Sequence, residues 1–312
     1  MENKEYPLII IGAGPAGLTA SIYASRYGIN HLIIGATSGG LMSEAHQICN
    51  FPTEKNISGA EIVNKMREHA ESLGTQIIID QVTKISPGQN FQLKTREDKD
   101  FSAETILLAT GTQHRRLELP EEKKFLGQGL SYCATCDAQF YKNQIVAVIG
   151  SGDSATTASL YLAKIAKKVY QICRGPQLHG ERIWINQVTH HPRIEVIYER
   201  QIAALEGEKD LEAVVLDKPY QKQKRIPLQG IFVEIGTIPQ KLLTNQLALE
   251  TNTQGYIKVR ADQRTSNPHV WAAGDITDSS DNVRQIITAA SEGTIAANSI
   301  FAFFQKKSLS RT

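Results

Sequence analysis

Pro7-Leu8-Ile9-Ile10-Ile11 runs directly into Gly12-Ala13-Gly14-Pro15-Ala16-Gly17, and this stretch decides the fold. An apolar strand-like run meets glycines spaced GxGxxG. Leu18 to Tyr27 then reads as a helix, Gly28 stops it, and His31 to Ile34 reads as a second strand. Strand, glycine turn, helix and strand make a βαβ unit with the dinucleotide fingerprint at its first turn. Gly12 permits the tight turn, Gly14 lets backbone approach a pyrophosphate, and Gly17 allows close helix packing. The helix N-terminus offers free N–H groups and a positive dipole end to phosphates. A single such motif is weak; its position between strand and helix strengthens it.

The pattern occurs twice. Ile145 to Ile149 is a strand, Gly150-Ser151-Gly152-Asp153-Ser154-Ala155 follows as GxGxxA, a helix runs to about Ala166, and Lys168 to Cys173 is the next strand. Two fingerprints predict two dinucleotide-binding domains. Gln76 to Ile79, Phe91 to Thr95 and Thr105 to Ala109 are expected strands. So are Arg193 to Tyr198, from alternation at Ile194, Val196 and Tyr198, and Leu211 to Leu216. Ala289 to Phe304 reads as a long apolar-patterned helix, and Lys306 to Thr312 as a frayed polar tail.

Composition bounds the function. At about 150 residues per domain, 312 residues suggest two. Lys and Arg number 34 against 32 Asp and Glu, a net charge of +2 with no long like-charge run. That argues against the concentrated basic face of a nucleic-acid binder. No apolar stretch is read as reaching the ~18 residues of a membrane helix, and the N-terminus runs into a strand, not a signal peptide. The expected location is cytoplasmic. The four cysteines are Cys49, Cys133, Cys136 and Cys173. Cys133-Ala134-Thr135-Cys136 has the spacing of a redox dithiol or of half a zinc site. Zinc would need two more ligands, and His190-His191 is the only tight His pair; no metal site is expected. A CxxC setting can lower a thiol pKa, and Asp137 beside it is a candidate proton carrier. Cys49 and Cys173 read as buried small hydrophobes.

These residues together resemble the low-molecular-weight thioredoxin reductases of the pyridine nucleotide–disulfide oxidoreductase group. The resemblance spans nearly the whole chain. It rests on Gly12 to Gly17, Ser38-Gly39-Gly40, Ala109-Thr110-Gly111, Cys133 to Asp137, Gly150 to Ala155, Ala272-Ala273-Gly274-Asp275 and Arg284-Gln285. It implies an α/β fold of two Rossmann-like, three-layer ββα domains, the second inserted in the first. The expected boundaries are 1–115 and 244–312 for the FAD domain and 116–243 for the inserted one. It assigns to FAD the residues Gly12, Gly14, Pro15, Ala16, Gly17, Gly39, Gly40, Leu41, Asn50, Ala109, Thr110, Gly111, Gly274, Asp275, Arg284, Gln285 and Ile286. It makes Cys136 the flavin-facing thiol, Cys133 the exchanging thiol and Asp137 the proton carrier. A homodimer and a thioredoxin-like or other dithiol/disulfide partner are implied.

The second nucleotide site, with Gly150, Gly152, Asp153, Ser154, Ala155, Arg174 and Gly175, departs from that pattern. NADPH-dependent members carry a cluster of basic residues after the second strand, because a 2′-phosphate needs several fixed cations. Here the run is Cys173-Arg174-Gly175-Pro176-Gln177-Leu178-His179, and Thr156-Thr157-Ala158 replaces acidic residues after the turn. Losing two arginine contacts costs roughly 2–5 kcal/mol. The expectation is therefore a second FAD, giving two per protomer instead of one, or a ferredoxin-linked donor. An ordinary NADPH-dependent reductase is the alternative, and a non-catalytic flavin redox sensor the rival of another class. Leu41 stands where a Gln is typical, and Ala138 where a Gly is common.

Overall fold

The computed structural model describes residues 4–309. Two compact units form, one reaching Gln113 and resuming at Ile238, the other spanning His114–Thr237. In chain order the first unit begins with β1 (Lys4–Ala13), α1 (Pro15–Arg26), β2 (His31–Ser38), α2 (Gly59–Ser72), β3 (Gln76–Ile79), β4 (Val82–Ser86), β5 (Phe91–Thr95), β6 (Asp100–Leu108) and β7 (Thr112–His114). The second holds α3 (Glu122–Phe125), β8 (Leu130–Ser131), α4 (Ala134–Asp137), β9 (Ile145–Ile149), α5 (Asp153–Ala163), β10 (Lys168–Ile172), α6 (Arg182–His190), β11 (Ile194–Ile197), β12 (Ile202–Glu206), β13 (Ala213–Tyr220), β14 (Gln223–Pro227) and β15 (Gly230–Val233). The chain returns through β16 (Thr237–Pro239), α7 (Leu242–Gln246), β17 (Val270–Ala272) and α8 (Ile286–Leu309).

The outgoing β7 and returning β16 pair with each other. This ribbon puts the crossings at 113/114 and 237/238, where the sequence placed them at 115/116 and 243/244. The difference has a plain cause: the chain changes unit inside a short paired ribbon, which carries no composition signal.

In the first unit β1 lies between β2 and β6, parallel to both. β6 divides its other edge. Its N-terminal half pairs antiparallel with β5, and its C-terminal half pairs parallel with β17. Leu8 and Ile10 face the layer of α1 and α8, while Ile9 and Ile11 face a cluster with Val82, Ile85, Phe91 and Leu93 of the β4–β5 hairpin. A strand covered on both faces reads as an unbroken apolar run, as β1 does. The second unit repeats the idea with the parallel order β11-β10-β9-β15-β8 and a separate antiparallel sheet β12-β13-β14.

Two expectations at the C-terminus are corrected. α8 continues through Leu309, so Lys306 to Leu309 is helical and not a frayed tail; 310–312 lie outside the described residues. By length and composition α8 is also long and apolar enough to cross a membrane. Its apolarity has another use here: Ala289, Gly293, Ala296, Ala297 and Ile300 form its buried face, packed against α1 in the first unit's core.

A buried polar group ties α1 to the sheet. His31 Nδ1 donates to the Ile29 carbonyl at 2.8 Å, which leaves Nε2 to accept from the Ser21 hydroxyl at 2.7 Å. Ser21 in turn meets Thr75 at 2.7 Å. Burial holds the imidazole below its ordinary pKa, against the opposing pull of the Ile29 carbonyl. The unfolded chain therefore binds the proton first. The contribution is complete above the unfolded value of about 6.5 and is lost as pH falls through the lower folded value. Urea midpoints measured at about pH 7.5 and about pH 5.5 should fall more steeply for the wild type than for His31→Gln; parallel falls would remove His31 from the account.

Candidate functional site

The first Gly-rich turn closes around α1. Gly12 sits at φ +120°, and a Cβ there would lie 2.1 Å from the Ala109 carbonyl oxygen. The backbone of the Gly12 turn and that of Ala109-Thr110 are thus pressed together, as a passage for a flat, backbone-hugging ligand requires. Gly39 donates its N–H to the Ala13 carbonyl at 2.8 Å and lies beside Gly14. Pro15 opens α1 at a position whose N–H is unpaired in any helix. No side chain caps this N-terminus, and no acid occupies its first turn. It is electrostatically suited to a diphosphate.

The remaining residues assigned to the first site come from distant segments of the same unit. Gly274 packs against Ala16, so closely that a Cβ on Gly274 would lie 3.0 Å from the Ala16 Cβ. Asn50 donates to Gln285 Oε1 at 3.0 Å, joining the loop after β2 to the start of α8. Ile286 packs with Met42, Ile48, Ile57, Ile62 and Val63. Leu41 lies in the 3₁₀ turn Gly40–Glu44, and Gly111 just before β7. Arg284 stacks over the Tyr256 ring at 4.0 Å. Asp275 is held up at about 6, chiefly by burial, with Arg284 pulling it down and Glu292 pushing it up. A desolvated carboxyl fits a ligand rich in hydroxyls, and the open helix end fits its phosphates. The donor set therefore suits FAD.

Cys133 and Cys136 are joined by a disulfide, S–S 2.10 Å. Cys133 caps α4, and its Sγ accepts the Cys136 N–H at 3.1 Å. Ser131 clasps the same residue, its hydroxyl taking the Cys133 N–H at 3.0 Å. Tyr132 is anchored by donating to the buried Glu122 at 2.5 Å. Burial first, then that carboxylate, push the Tyr132 hydroxyl up to about 12, so it stays a donor. Asp137 follows in α4, half-buried. Phe140, just beyond, is 77% exposed. Glu122, Tyr132 and Phe140 had no sequence signal beyond their closeness to the CxxC.

In the second Gly-rich turn, a Cβ on Gly150 would lie 2.1 Å from the Glu234 carbonyl oxygen, while Gly152 faces open space. Ala155 is buried and Ser154 sits in the first turn of α5. Cys173 Sγ lies 3.2 Å from the Gly150 carbonyl, and burial pushes its thiol up to about 12. The loop after β10 folds back onto this turn. His179 N–H donates to Ser151 O at 2.7 Å, and Glu181 N–H donates to Asp153 Oδ1 at 2.8 Å. Leu178 anchors the loop beside Cys173 and Val188, leaving Arg174 and His179 exposed and Gly175 between them half-buried. The hydroxyls of Thr156 and Thr157 bond back to the Asp153 carbonyl. One expectation fails here: Cys173 is buried, but Cys49 is exposed. Ile48 takes the interior position next to it through its bridge to Ile57.

Among the described residues no group of three or more His, Cys, Asp or Glu could hold a metal ion. The paired sulfurs and two Gly-rich turns define a nucleotide-dependent disulfide oxidoreductase. The pyridine nucleotide-disulphide oxidoreductase family model matches residues 6–293. The chain is 36% identical over 299 residues to a thioredoxin reductase of Ureaplasma parvum, covering 95% of this chain and 96% of that one. Among solved structures, Lactococcus lactis thioredoxin reductase matches with TM-score 0.90 and 32% identity over 96% of this chain and 99% of that one. A ferredoxin-flavin thioredoxin reductase of Clostridium acetobutylicum matches with TM-score 0.53 and 29% identity over 97% and 100%. The chain belongs to the low-molecular-weight thioredoxin reductases, FAD flavoproteins with a redox-active disulfide.

Replacing Gly12 by Ala forces a Cβ into the Ala109 carbonyl at an unfavourable φ. Backbone strain alone costs roughly 1–3 kcal/mol. Gly12→Ala should purify with far less bound flavin than the wild type, read from the ratio of flavin to protein absorbance; full flavin content would contradict the steric account.

Proposed function

We propose that this chain is a thioredoxin-disulfide reductase in which a pyridine nucleotide at the second Gly-rich turn is the electron source. The observation that carries the reading is the Cys133–Cys136 disulfide capping α4 in the unit that also holds an intact second turn. Relatives that match it along almost their whole length are named thioredoxin reductases. This supports the ordinary reductase over the donors expected from the altered loop. When bound, FAD supplies the two-electron step between donor and disulfide.

The chain's own residues then do the following. Two electrons and two protons convert the Cys133–Cys136 bond into two thiols. The Cys136 N–H, already on Cys133 Sγ, stabilises a thiolate there, which favours Cys133 as the exchanging sulfur. That thiolate attacks a partner disulfide and releases one partner thiolate. Cys136 then displaces the mixed disulfide, frees the second partner thiolate and restores the internal bond. Asp137, next in sequence and half-buried in α4, is the proton carrier in this reading. Phe140, four residues after Cys136 and largely exposed, is the apolar foothold for the partner in this reading. A homodimer and a cytoplasmic setting belong to the same reading.

One observation favours a second reading, with a second FAD or ferredoxin as electron source. The loop after β10 carries Arg174 and His179 as its exposed basic groups and is latched to the turn by Ser151 and Asp153. Anaerobic titration with NADPH separates the two. The proposed function expects stoichiometric loss of flavin absorbance. Unbleached flavin at large excess, still reducible by dithionite, would transfer the second site to another donor. Cys133→Ser should abolish turnover with thioredoxin while leaving flavin reduction intact. Phe140→Ala should raise KM for thioredoxin about tenfold, on the scale of a lost apolar anchor; an unchanged KM would place the docking surface elsewhere.

A further inference from the structure

α8 carries a single acid, Glu292, and it is only 4% exposed. A buried carboxylate is costly unless donors meet it. Three surround it: the Gly274 N–H donates to Oε2 at 2.7 Å, the Ser280 hydroxyl donates to Oε1 at 2.5 Å, and the Thr277 hydroxyl, 3.0 Å from Oε2, shares its one proton between that oxygen and the Gly274 carbonyl. All three belong to the turn that presents Asp275.

The next residue explains how α8 comes so near. A Cβ on Gly293 would lie 2.2 Å from the Ala16 carbonyl oxygen in the first turn of α1. At adjacent positions α8 therefore touches the first turn of α1 and gathers the Gly274–Ser280 turn.

We infer that Glu292 is a positioning residue for FAD, which fixes the Gly274–Ser280 turn and through it governs how Asp275 meets the hydroxyls of the bound flavin nucleotide. This rests on the reading that Asp275 faces FAD. Glu292 touches neither the disulfide nor the flavin in this scheme; it acts through Asp275. The charged groups acting on Asp275 are Arg284 from the segment before α8 and Glu292 from α8 itself. The first turn of α1 adds no acid. Asp278 is turned to the Val259 N–H.

The consequence is a pH-dependent grip. An ionised Asp275 accepts from ligand hydroxyls; a protonated one accepts less well. With its carboxyl raised to about 6, the wild type should hold FAD tightly above that pH and release it as pH falls through it. Removing the Glu292 charge lowers the Asp275 pKa, and removing acceptor capacity loosens the turn.

The test is flavin released on dilution of the purified holoenzyme, followed by FAD fluorescence across about pH 5 to 8. Glu292→Gln should hold FAD about tenfold more weakly at the alkaline end, the effect of one lost charged hydrogen bond. Its release midpoint should move to lower pH. Glu292→Asp keeps the charge and should restore the midpoint. Circular dichroism of each variant checks folding. Curves for Glu292→Gln displaced equally at every pH, or superposed on the wild type, would overturn the inference. Asp275→Asn distinguishes the underlying reading: if the midpoint survives in that variant, Asp275 does not face FAD and both readings fall. If Asp275→Asn abolishes the midpoint and Glu292→Gln leaves it in place, the role of Glu292 alone fails.

Discussion

The first unit is organised by backbone pressed against backbone at the start of α1. The carbonyls of Gly12, Ala16 and Ala109 stand where side chains of neighbouring glycines would be: a Cβ on Gly17 would lie 1.9 Å from the Gly12 oxygen. Such contact leaves no room for side chains between β1, α1, the end of β6 and α8. It also leaves the α1 N-terminus with free N–H groups and no side-chain cap. Helix-end donors with no internal partner need an external one. The packing that closes β1 against α1 thus also leaves that helix end open to an anion.

Much of this was legible because sterics write themselves into sequence. The Gly12–Gly17 and Gly150–Ala155 spacings, with flanking apolar runs, predicted both βαβ units, and β3 and β5 fall at Gln76–Ile79 and Phe91–Thr95 as read. Helix α2 was missed, although Ser58 and Glu61 form a full capping box at its start. Its charged residues masked the apolar stripe. β6 extends back to Asp100, beyond the expected Thr105, since its N-terminal half depends on pairing with β5, a long-range contact that leaves no local periodicity.

The site was legible to a different degree. The CxxC motif announces itself by spacing, but its supporting residues do not. Glu122 reaches Tyr132 and Ser131 clasps Cys133 only after the chain has folded. Glu292 likewise looks like an ordinary polar interruption in α8 until the Gly274–Ser280 turn arrives on top of it. Cys49 shows the converse. Composition favours burial of a lone cysteine, yet its neighbour Ile48 holds the interior position, and a chain segment making a single bridge cannot turn both side chains inward.

The two Gly-rich turns share a backbone plan and differ in electrostatics. α1 begins without an acid, and all its N-terminal potential remains available. α5 begins with Asp153, whose carboxylate accepts the Glu181 N–H and so binds the loop after β10 to the turn. A carboxylate there interacts favourably with its own helix end. It thereby offsets part of the attraction that the same helix end would exert on a phosphate. Beside this turn, the loop after β10 leaves Arg174 and His179 exposed. An anion approaching the second turn therefore meets a helix end weakened by its own acid, whereas no acid offsets the end of α1.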